Sequence, residues 1–404
     1  MSKWEWKKLG EVYDFTRGLT YSKKDEVESS SNCILRSNNI DLQTNSINLD
    51  ELKYIKDEID IPQEKYVHKN TILICMSNGS KAHLGKVAYI DKDYDFAFGG
   101  FMGLLKPKCE INGKFVHLYL CSDEYKNFIK SLSDGANINN LKFDDLRKFE
   151  IPFPPLSEQN RIVKFLDEEF SKIETLKTNA ETNLKKAGAI FDAELKKEFN
   201  KKKWDSKKLN DLCELISGYA FDSKGYSSKN EDTLLVCGDN IMHCSFRWET
   251  VKRWPKEKCY ELKRFELKDS DIVLAMDRPW IKSGLKISKI TGNELPSLLV
   301  QRTAALRTTS HVSSDYLYYA LQEKNFSDYL IDQQTGSGVP HISGKQILNF
   351  QIPLPPLSVQ KEIVARLDKL SENVKRLEAN YKQIIADCDE LKKSILKKTF
   401  EGES

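Results

Sequence analysis

Two long stretches of the chain carry apolar residues at alternating intervals of four and three positions. A spacing that averages 3.5 residues predicts long helices that pair in a left-handed coiled coil. The C-terminal stretch keeps the spacing throughout, at Ile363, Leu367, Leu370, Val374, Leu377, Tyr381, Ile384, Cys388, Leu391 and Ile395. The middle stretch keeps it less regularly, at Ile162, Leu166, Phe170, Ile173, Leu176, Ala180, Leu184, Ala187, Phe191 and Leu195. We expect Leu367, Leu377 and Ile384 to lie in the helix seam.

Each predicted helix follows a Pro-Pro pair, Pro154-Pro155 in the middle stretch and Pro355-Pro356 near the C-terminus. Proline cannot lie inside a helix, so neither helix can begin before its pair. Ser157 and Ser358 come next, and a serine there is expected to cap the first turn. A helix over 158–199 would be about 63 Å long.

The chain is two copies of one unit. Ile151-Pro-Phe-Pro-Pro-Leu-Ser recurs as Ile352-Pro-Leu-Pro-Pro-Leu-Ser, 201 positions later, and Trp4 with its Lys-Lys-Leu run is matched by Trp204. A period this long excludes a solenoid. We predict four segments: a first globular region over 1–150, a hinge and spacer helix over 151–203, a second globular region over 204–351, and a second hinge and spacer helix over 352–404.

The globular regions read as mixed α/β. Aromatic-rich helical patterns cover 115–131 and 314–331. Short β-like runs, separated by Gly, Asn, Asp and Ser clusters, predict strands at 33–36, 71–76, 87–90, 233–236, 271–276 and 298–306. If the two copies are equivalent, the second helix must run back toward the first globular region. We therefore expect two long antiparallel coiled-coil helices that join two α/β domains with pseudo-two-fold symmetry.

Composition narrows the class of protein. The chain has 63 basic and 60 acidic residues, a net charge of +3, and none of the four segments departs from neutrality by more than two charges. No apolar run is long enough to span a membrane, and the first residues lack a signal-peptide core. The nine cysteines form no CxxC pair. These features predict a cytoplasmic protein without structural disulfides or a metal site.

No motif for catalysis stands out. The six histidines form no HExxH pattern, and the Glu-x-Lys triplets that begin at Glu51, Glu194, Glu261, Glu266 and Glu390 are expected by chance in a chain with 30% charged residues. A binding protein is therefore favoured over an enzyme, with no catalytic residues and no cofactor in this chain. Two similar modules at a fixed separation suit double-stranded DNA, although near-neutral modules predict weak DNA binding by the chain alone.

The sequence resembles the specificity subunit of type I restriction-modification systems over essentially its whole length. The two hinge-helix starts, which continue as Ser157-Glu-Gln and Ser358-Val-Gln, are the most specific marks. The turns at Arg17-Gly18 and Ser217-Gly218 and the run that begins at Asp271 support it.

The resemblance implies that each globular region is a target recognition domain for one half of a bipartite DNA sequence. It implies that the helices measure the gap between the halves and dock two methyltransferase subunits, which use S-adenosylmethionine to methylate adenine N6. Two restriction subunits that use ATP and magnesium can join to translocate and cleave DNA. One departure from equivalence between the copies is Gln301-Arg302, whose counterpart near Gly99-Gly100 lacks both side chains.

Loop residues with polar or aromatic side chains are the candidates for reading base edges. In the first globular region they are Arg17, Lys23, Lys24, Arg36, Asn38, Asn39, Asn78, Lys81, Asn137 and Asn139. In the second they are Tyr219, Lys224, Asp239, Asn240, Arg278, Trp280, Lys282, Arg302 and His341. Each could instead be a solvated loop residue or a turn former, and Trp280 could belong to the core.

Two other functions stay open. The chain could be a coiled-coil scaffold whose two modules bind proteins, or a self-contained nuclease that uses one of the Glu-x-Lys sites.

Overall fold

The computed structural model describes residues 4–42, 44–134, 140–201, 203–333 and 340–401. The chain forms two compact units. The first comprises Met1–Ala180 with Gln383–Ser404, and the second comprises Glu181–Lys382. Each unit holds one globular region together with segments of both long helices.

The first unit takes its strands and helices from residues 5–180 and from the end of the chain. Its strands are β1 (Glu5–Lys8), β2 (Tyr13–Arg17), β3 (Glu26–Val27), β4 (Asn32–Leu35), β5 (Lys53–Ile55), β6 (Thr71–Cys75), β7 (Val87–Ile90), β8 (Phe96–Phe98), β9 (Met102–Pro107) and β10 (Glu150–Phe153). Its helices are α1 (Leu9–Val12), α2 (Gly113–Tyr119), α3 (Asp123–Asp134), α4 (Phe143–Leu146) and the N-terminal portion of α5 (Leu156–Phe199).

Two sheets form the framework of the first unit. One is antiparallel, with strand order β2-β9-β6-β7, and its central β6 is buried along its whole length, as its uninterrupted apolar run predicts. The other has the order β3-β5-β4-β8, with β4 and β8 parallel. Strand β1 pairs with β10, which ties the start of the chain to the hinge.

The second unit follows the same plan. Its strands are β11 (Ser206–Lys208), β12 (Cys213–Ser217), β13 (Thr233–Val236), β14 (Lys252–Trp254), β15 (Ile272–Ala275), β16 (Trp280–Ile281), β17 (Gly284–Leu285), β18 (Ile287–Lys289), β19 (Ser297–Leu299), β20 (Thr303–Thr308) and β21 (Gln351–Pro353). Its helices are the rest of α5, α6 (Ser314–Gln322), α7 (Lys324–Gln333), α8 (Gly344–Asn349) and the N-terminal portion of α9 (Leu357–Glu401).

The strand order shows that the repeat seen in the sequence is a repeat of fold. The sheet β12-β20-β15-β18 matches β2-β9-β6-β7, the sheet β14-β13-β19 matches β5-β4-β8, and β11-β21 matches β1-β10. The mixed α/β class and the two copies are therefore confirmed. The predicted run 298–306 is two strands, β19 and β20, because the chain turns between them. Each predicted aromatic helix is likewise two helices, α2 with α3 and α6 with α7.

A buried glutamine ties each hinge to its globular region. Gln159 Nε2 donates to the Pro154 carbonyl at 2.9 Å, and its Oε1 accepts the Asn112 amide at 2.9 Å at the start of α2. Gln360 repeats both bonds, to the Pro355 carbonyl at 2.9 Å and from the Ser313 amide at 2.8 Å.

The long helices begin at Leu156 and Leu357, earlier than Ser157 and Ser358 would allow as caps. The expectation of serine caps is therefore wrong. The carbonyls of the second prolines accept the first helical bonds instead, from the Gln159 amide to Pro155 and from the Gln360 amide to Pro356, each at 3.0 Å. A proline at the cap needs no amide of its own, so the Pro-Pro pair can lead directly into the helix.

In the first unit the segments of α5 and α9 run antiparallel. Lys392 Nζ pairs with Glu174 and Lys177 Nζ pairs with Asp389, both at 2.7 Å. Residue numbers thus rise along one helix as they fall along the other. The end of α9 enters the core, where the Phe400 ring lies 5.0 Å from the Tyr119 ring, centroid to centroid.

In the second unit the two helices are also antiparallel. Arg366 Nη2 pairs with Glu198 at 2.6 Å, and a Cβ added to Gly188 would lie 3.8 Å from Glu378 Oε1. Here the end of α5 enters the core, and the Phe199 ring lies 5.1 Å from the Tyr316 ring. The predicted antiparallel pairing is confirmed within each unit.

The helix seam is narrower than the sequence pattern predicts. Between the first and the last turns, only about one apolar position per heptad is buried in each long helix. In α5 these positions are Leu166, Ile173, Ala180, Ala187 and Leu195, and in α9 they are Leu367, Val374, Cys388 and Leu396.

The alternate heptad position is open to solvent. Leu377 and Ile384 are 38% and 41% exposed, so the expectation that they lie in the seam is wrong, whereas Leu367 is fully buried as expected. Leu176 and Leu391 are exposed as well. Each helix pair thus buries one apolar position per heptad, and Leu176, Leu377, Ile384 and Leu391 lie at its outer surface.

We predict that the glutamine ties are essential for local stability. Gln159→Leu removes the partner of two buried backbone groups, and an unsatisfied buried group costs about 1–3 kcal/mol. Amide hydrogen exchange over 108–119 and 154–162 should accelerate roughly tenfold or more. Gln383→Leu is the matched control, since Gln383 is exposed and bonds only Asp387 among the described residues, and it should change exchange little. Equal exchange in the two variants would contradict the role given to Gln159.

Candidate nucleic-acid interface

The first unit carries a cleft of about 530 Å³ between the end of β2, the turn after β4 and the turn that joins β8 to β9. Gly18 makes the close approach that forms its floor, because a Cβ there would lie 2.1 Å from the Gly99 carbonyl oxygen. The cleft is lined by Arg17, Leu19, Thr20, Tyr21, Lys23, Glu26, Arg36, Ser37, Asn38, Gly99, Gly100, Phe101 and Met102.

Arginine side chains supply most of the positive charge of this cleft. Arg17 Nε donates to the Gly100 carbonyl at 3.1 Å, which directs the guanidinium along the wall. Arg36 Nε is buried and has no hydrogen-bond partner among the described residues. Burial raises the pKa of Tyr21, an effect that the nearby Arg36 partly offsets. The cleft therefore combines cations and aromatic surface, as base-edge and phosphate contacts require.

The second unit carries a cleft of about 670 Å³ at the corresponding place. A Cβ on Gly218 would lie 1.9 Å from the Val300 carbonyl oxygen, so the same close approach occurs beside Val300, which lines this cleft. The cleft is lined by Tyr226, Leu235, Cys237, Gly238, Asp239, Lys252, Asp277, Arg278, Lys286, Val300, Gln301, Arg302 and His341.

Asp277 is the centre of a charged cluster in the second cleft. Its carboxylate accepts from Arg302 Nη1 at 2.7 Å and from His341 Nδ1 at 2.5 Å. Burial alone would raise the pKa of Asp277, but the bonds from His341 and Arg302 outweigh it and hold the pKa below its usual value. Asp277 is therefore an ionised acceptor that holds two side chains from other segments.

A lysine fixes one loop of each cleft. Lys86 Nζ donates to the Ile40 carbonyl at 2.8 Å, and Lys286 Nζ donates to the Gly238 carbonyl at 3.0 Å. Burial lowers the pKa of Lys86. Both lysines thus hold the turn that follows β4 or β13.

The structure brings eight of the predicted site residues to the two clefts. In the first unit they are Arg17, Lys23, Arg36 and Asn38, and in the second they are Asp239, Arg278, Arg302 and His341. Asn78 lies at the margin of the first cleft, where its Nδ2 donates to Ser37 Oγ at 2.9 Å.

Asn39 and Asn240 are not available for DNA, so the prediction that they read base edges is wrong. Both are 1% exposed. Asn39 Nδ2 donates to the carbonyls of Asn48 and Glu51, and Asn240 Nδ2 donates to the Arg247 carbonyl. These side chains fold the loop behind each cleft, which is why an asparagine stands at the same place in both copies.

The other predicted residues lie apart from the clefts. Lys81 lines a separate cleft of about 530 Å³ in the first unit, and the Tyr219 ring packs 5.1 Å from the rings of Phe221 and Phe265. Trp280 packs against the core of the second unit, the alternative that the sequence left open. Lys24, Lys224 and Lys282 are exposed and line neither cleft. Asn137 and Asn139 lie outside the described residues.

Asp277, Phe101 and Lys286 are among the cleft residues that sequence reasoning missed. Asp277 follows the predicted strand over 271–276, so its position at a strand end was a usable signal. Phe101 was missed because the counterpart of Gln301-Arg302 was placed at Gly99-Gly100, one position too early. Lys286 carried no signal, since its role depends on a carbonyl that is distant in sequence.

The strand register corrects the counterpart of Gln301-Arg302. The amide of Gly18 donates to the Met102 carbonyl, and the amide of Gly218 donates to the Thr303 carbonyl, both at 3.1 Å. Met102 therefore corresponds to Thr303, and the counterpart pair is Gly100-Phe101 and not Gly99-Gly100. A large side chain does stand at the position that matches Arg302.

Two further findings concern the described residues. None of their helices is long and apolar enough to cross a membrane. No group of three or more His, Cys, Asp or Glu side chains among them could hold a metal ion.

Comparisons with known proteins point to one family. The family model described as "Type I restriction modification DNA specificity domain" matches twice, over residues 1–185 and 201–386. The chain is 28% identical to the type I restriction enzyme EcoKI specificity subunit of Escherichia coli K12, over 97% of this chain and 87% of that protein. It is 27% identical to the StySPI specificity subunit of Salmonella potsdam, over 99% and 89%.

Solved structures share the fold. The HsdS subunit from Thermoanaerobacter tengcongensis matches with a TM-score of 0.61 and 18% identity, over 100% of this chain and 98% of that one. A chain from a structure reported for the assembly and conformational transition of the type I R-M system matches with a TM-score of 0.78 and 19% identity, over 99% and 98%.

Proposed function

The chain belongs to the family of type I restriction-modification DNA specificity proteins, and we propose that its two clefts each read one half of a bipartite DNA target. The proposal rests on one observation above all: a single scaffold presents the same cleft twice, with different side chains. The family assignment favours this function over a scaffold that binds only proteins.

The linings support two different half-sites. The first cleft has Arg17, Arg36 and the exposed ring of Phe101, whereas the second has the cluster around Asp277 with Arg302. Arginine pairs best with guanine, and apolar side chains contact the thymine methyl group. Two clefts with the same backbone framework but different side chains would thus recognise different DNA sequences.

We propose that the contribution of this chain to affinity is modest. A net charge of +3 on 404 residues supplies few phosphate contacts beyond those of the clefts. Partner subunits would then supply much of the electrostatic attraction to DNA, so stable binding would require the assembled complex. Because DNA is the ligand, we propose the cytoplasm as the place of action.

The chemistry is proposed to belong to the partners. Two methyltransferase subunits would bind S-adenosylmethionine and modify adenine N6, and two restriction subunits would use ATP and magnesium. This chain would be non-catalytic and would direct them to their sequence. Its helices would set the number of bases between the two half-sites.

The exposed heptad positions favour the helices as the docking surface for the methyltransferase. In the first unit Leu176, Ile384 and Leu391 are between 41% and 55% exposed, and in the second unit Ile190 and Leu377 are exposed. Regularly spaced apolar side chains on a helix surface are typical of sites where a partner helix packs.

The length of the helices should determine the spacing. Removal of residues 184–190 and 376–382, which face each other in the second unit, shortens the pair by one heptad, about 10 Å. At about 3.4 Å per base pair, the gap should shrink by about three base pairs while both half-sites keep their sequence.

Mapping of methylated adenines in cells that co-express the methyltransferase gives the measurement. The unaltered chain is the control and should give a two-part motif; absence of any such motif would overturn the proposed function. A two-part motif whose gap does not change in the shortened chain would overturn only the role of the helices.

The docking surface can be tested with charge. Ile384→Glu combined with Leu391→Glu should reduce co-purification of the methyltransferase at least about tenfold, because a buried unpaired carboxylate strongly opposes association. Leu49→Glu is the matched control, since Leu49 is an exposed leucine of the first unit outside the helices. Helix content measured by circular dichroism should be unchanged in both, and full co-purification of the double variant would argue against this surface.

A further inference from the structure

One turn position is equivalent in the two units but carries an apolar aromatic side chain in the first and a cationic side chain in the second. The amide of Met76 donates to the Phe101 carbonyl at 2.9 Å, and the amide of Met276 donates to the Arg302 carbonyl at 2.8 Å. Phe101 and Arg302 therefore occupy the same place, in the turn between β8 and β9 and in the turn between β19 and β20.

Neither side chain is buried in the hydrophobic core of its own unit. The Phe101 residue is 70% exposed, and the Arg302 side chain is 71% exposed. Each lines the cleft of its unit. The exposed ring of Phe101 gives the first cleft an apolar contact surface at this position.

The second unit holds its turn residue with a dedicated acceptor. The Asp277 side chain is only 19% exposed, and it bonds Arg302 Nη1 and His341 Nδ1. Arg302 Nε and Nη2 have no bond within the described portion of the chain, so one edge of the guanidinium remains open. In the first unit the positions of Asp277 and His341 are held by Ser77 and Asn140, which form the same isolated bridge.

The backbone at this cluster is strained. Arg302 has a φ of 65° and Arg278 a φ of 45°, in the left-handed region that favours glycine. Strain of this kind persists where the surroundings hold a side chain for a purpose. An arginine where glycine would fit more easily indicates that the side chain itself is needed.

We propose that this turn position determines specificity in both units: Arg302 reads a guanine with its open Nε and Nη2 edge, with Asp277 as its positioning residue, and Phe101 reads an A·T pair through the thymine methyl. An arginine held at one end by a carboxylate presents a rigid fork that matches the O6 and N7 of guanine. The inference rests on the proposed function and names the base class for one position of each half-site.

The test is the mapping of methylated adenines in cells that co-express the methyltransferase. Arg302→Ala should lower the preference for guanine at one position of one half-site at least about tenfold and leave the other half-site unchanged. Arg302→Lys should retain part of the preference, and Asp277→Asn should weaken it at the same position only. Phe101→Ala should relax one position of the other half-site. Arg264→Ala, an exposed arginine outside the cleft, is the matched control and should change nothing.

If Asp277 had only a structural role, Asp277→Asn would lower methylation of all target sites and would not change the base preference at one position. That result, or an unchanged motif in both Arg302 variants, would overturn the inference while leaving the proposed function intact. Absence of a two-part motif from the unaltered chain would overturn both. A triple variant, Phe101→Arg with Ser77→Asp and Asn140→His, should introduce guanine at the equivalent position of the first half-site, and retention of the original base there would also count against the inference.

Discussion

A buried glutamine at each hinge ties the start of the long helix to the globular region that precedes it. Gln159 and Gln360 hold one proline carbonyl and one helix-start amide each, in both units. Without these bonds a Pro-Pro segment would be a joint, since proline supplies no amide to neighbouring elements. The first turns of each long helix are therefore held against the globular region that precedes it.

The clefts show how one framework can carry two different sets of side chains. The close approaches at Gly18 and Gly218 are the same in both units, and Lys86 and Lys286 each donate to a backbone carbonyl of the loop that follows β4 or β13. These interactions involve backbone atoms, so they do not depend on what the cleft recognises. The side chains that differ, such as Phe101 and Arg302, stand on turns whose backbone is already held. The lining of a cleft can therefore differ between the units without a change in the fold.

The sequence was informative wherever a pattern repeats. The heptads predicted both helices, the hinge motif predicted the two copies, and apolar runs predicted most central strands. It failed where long-range packing decides. Leu377 and Ile384 keep the heptad spacing, but the way the helices pack in each unit leaves both of them exposed. Asn39 and Asn240 look like loop donors, yet their bonds to distant carbonyls remove them from solvent. Asp277 became visible only once Arg302 and His341, separated from it in sequence, were placed beside it.

Exchange of one globular region would test most directly whether each unit recognises its half-site independently of the other. Residues 1–150 would be exchanged for the corresponding residues of another specificity protein of the family, and methylated adenines would be mapped in cells that co-express the methyltransferase. If the two units recognise DNA independently, one half of the motif should take a new sequence, with the other half and the gap unchanged. Change in both halves, or in neither, would show that the two units do not read separately.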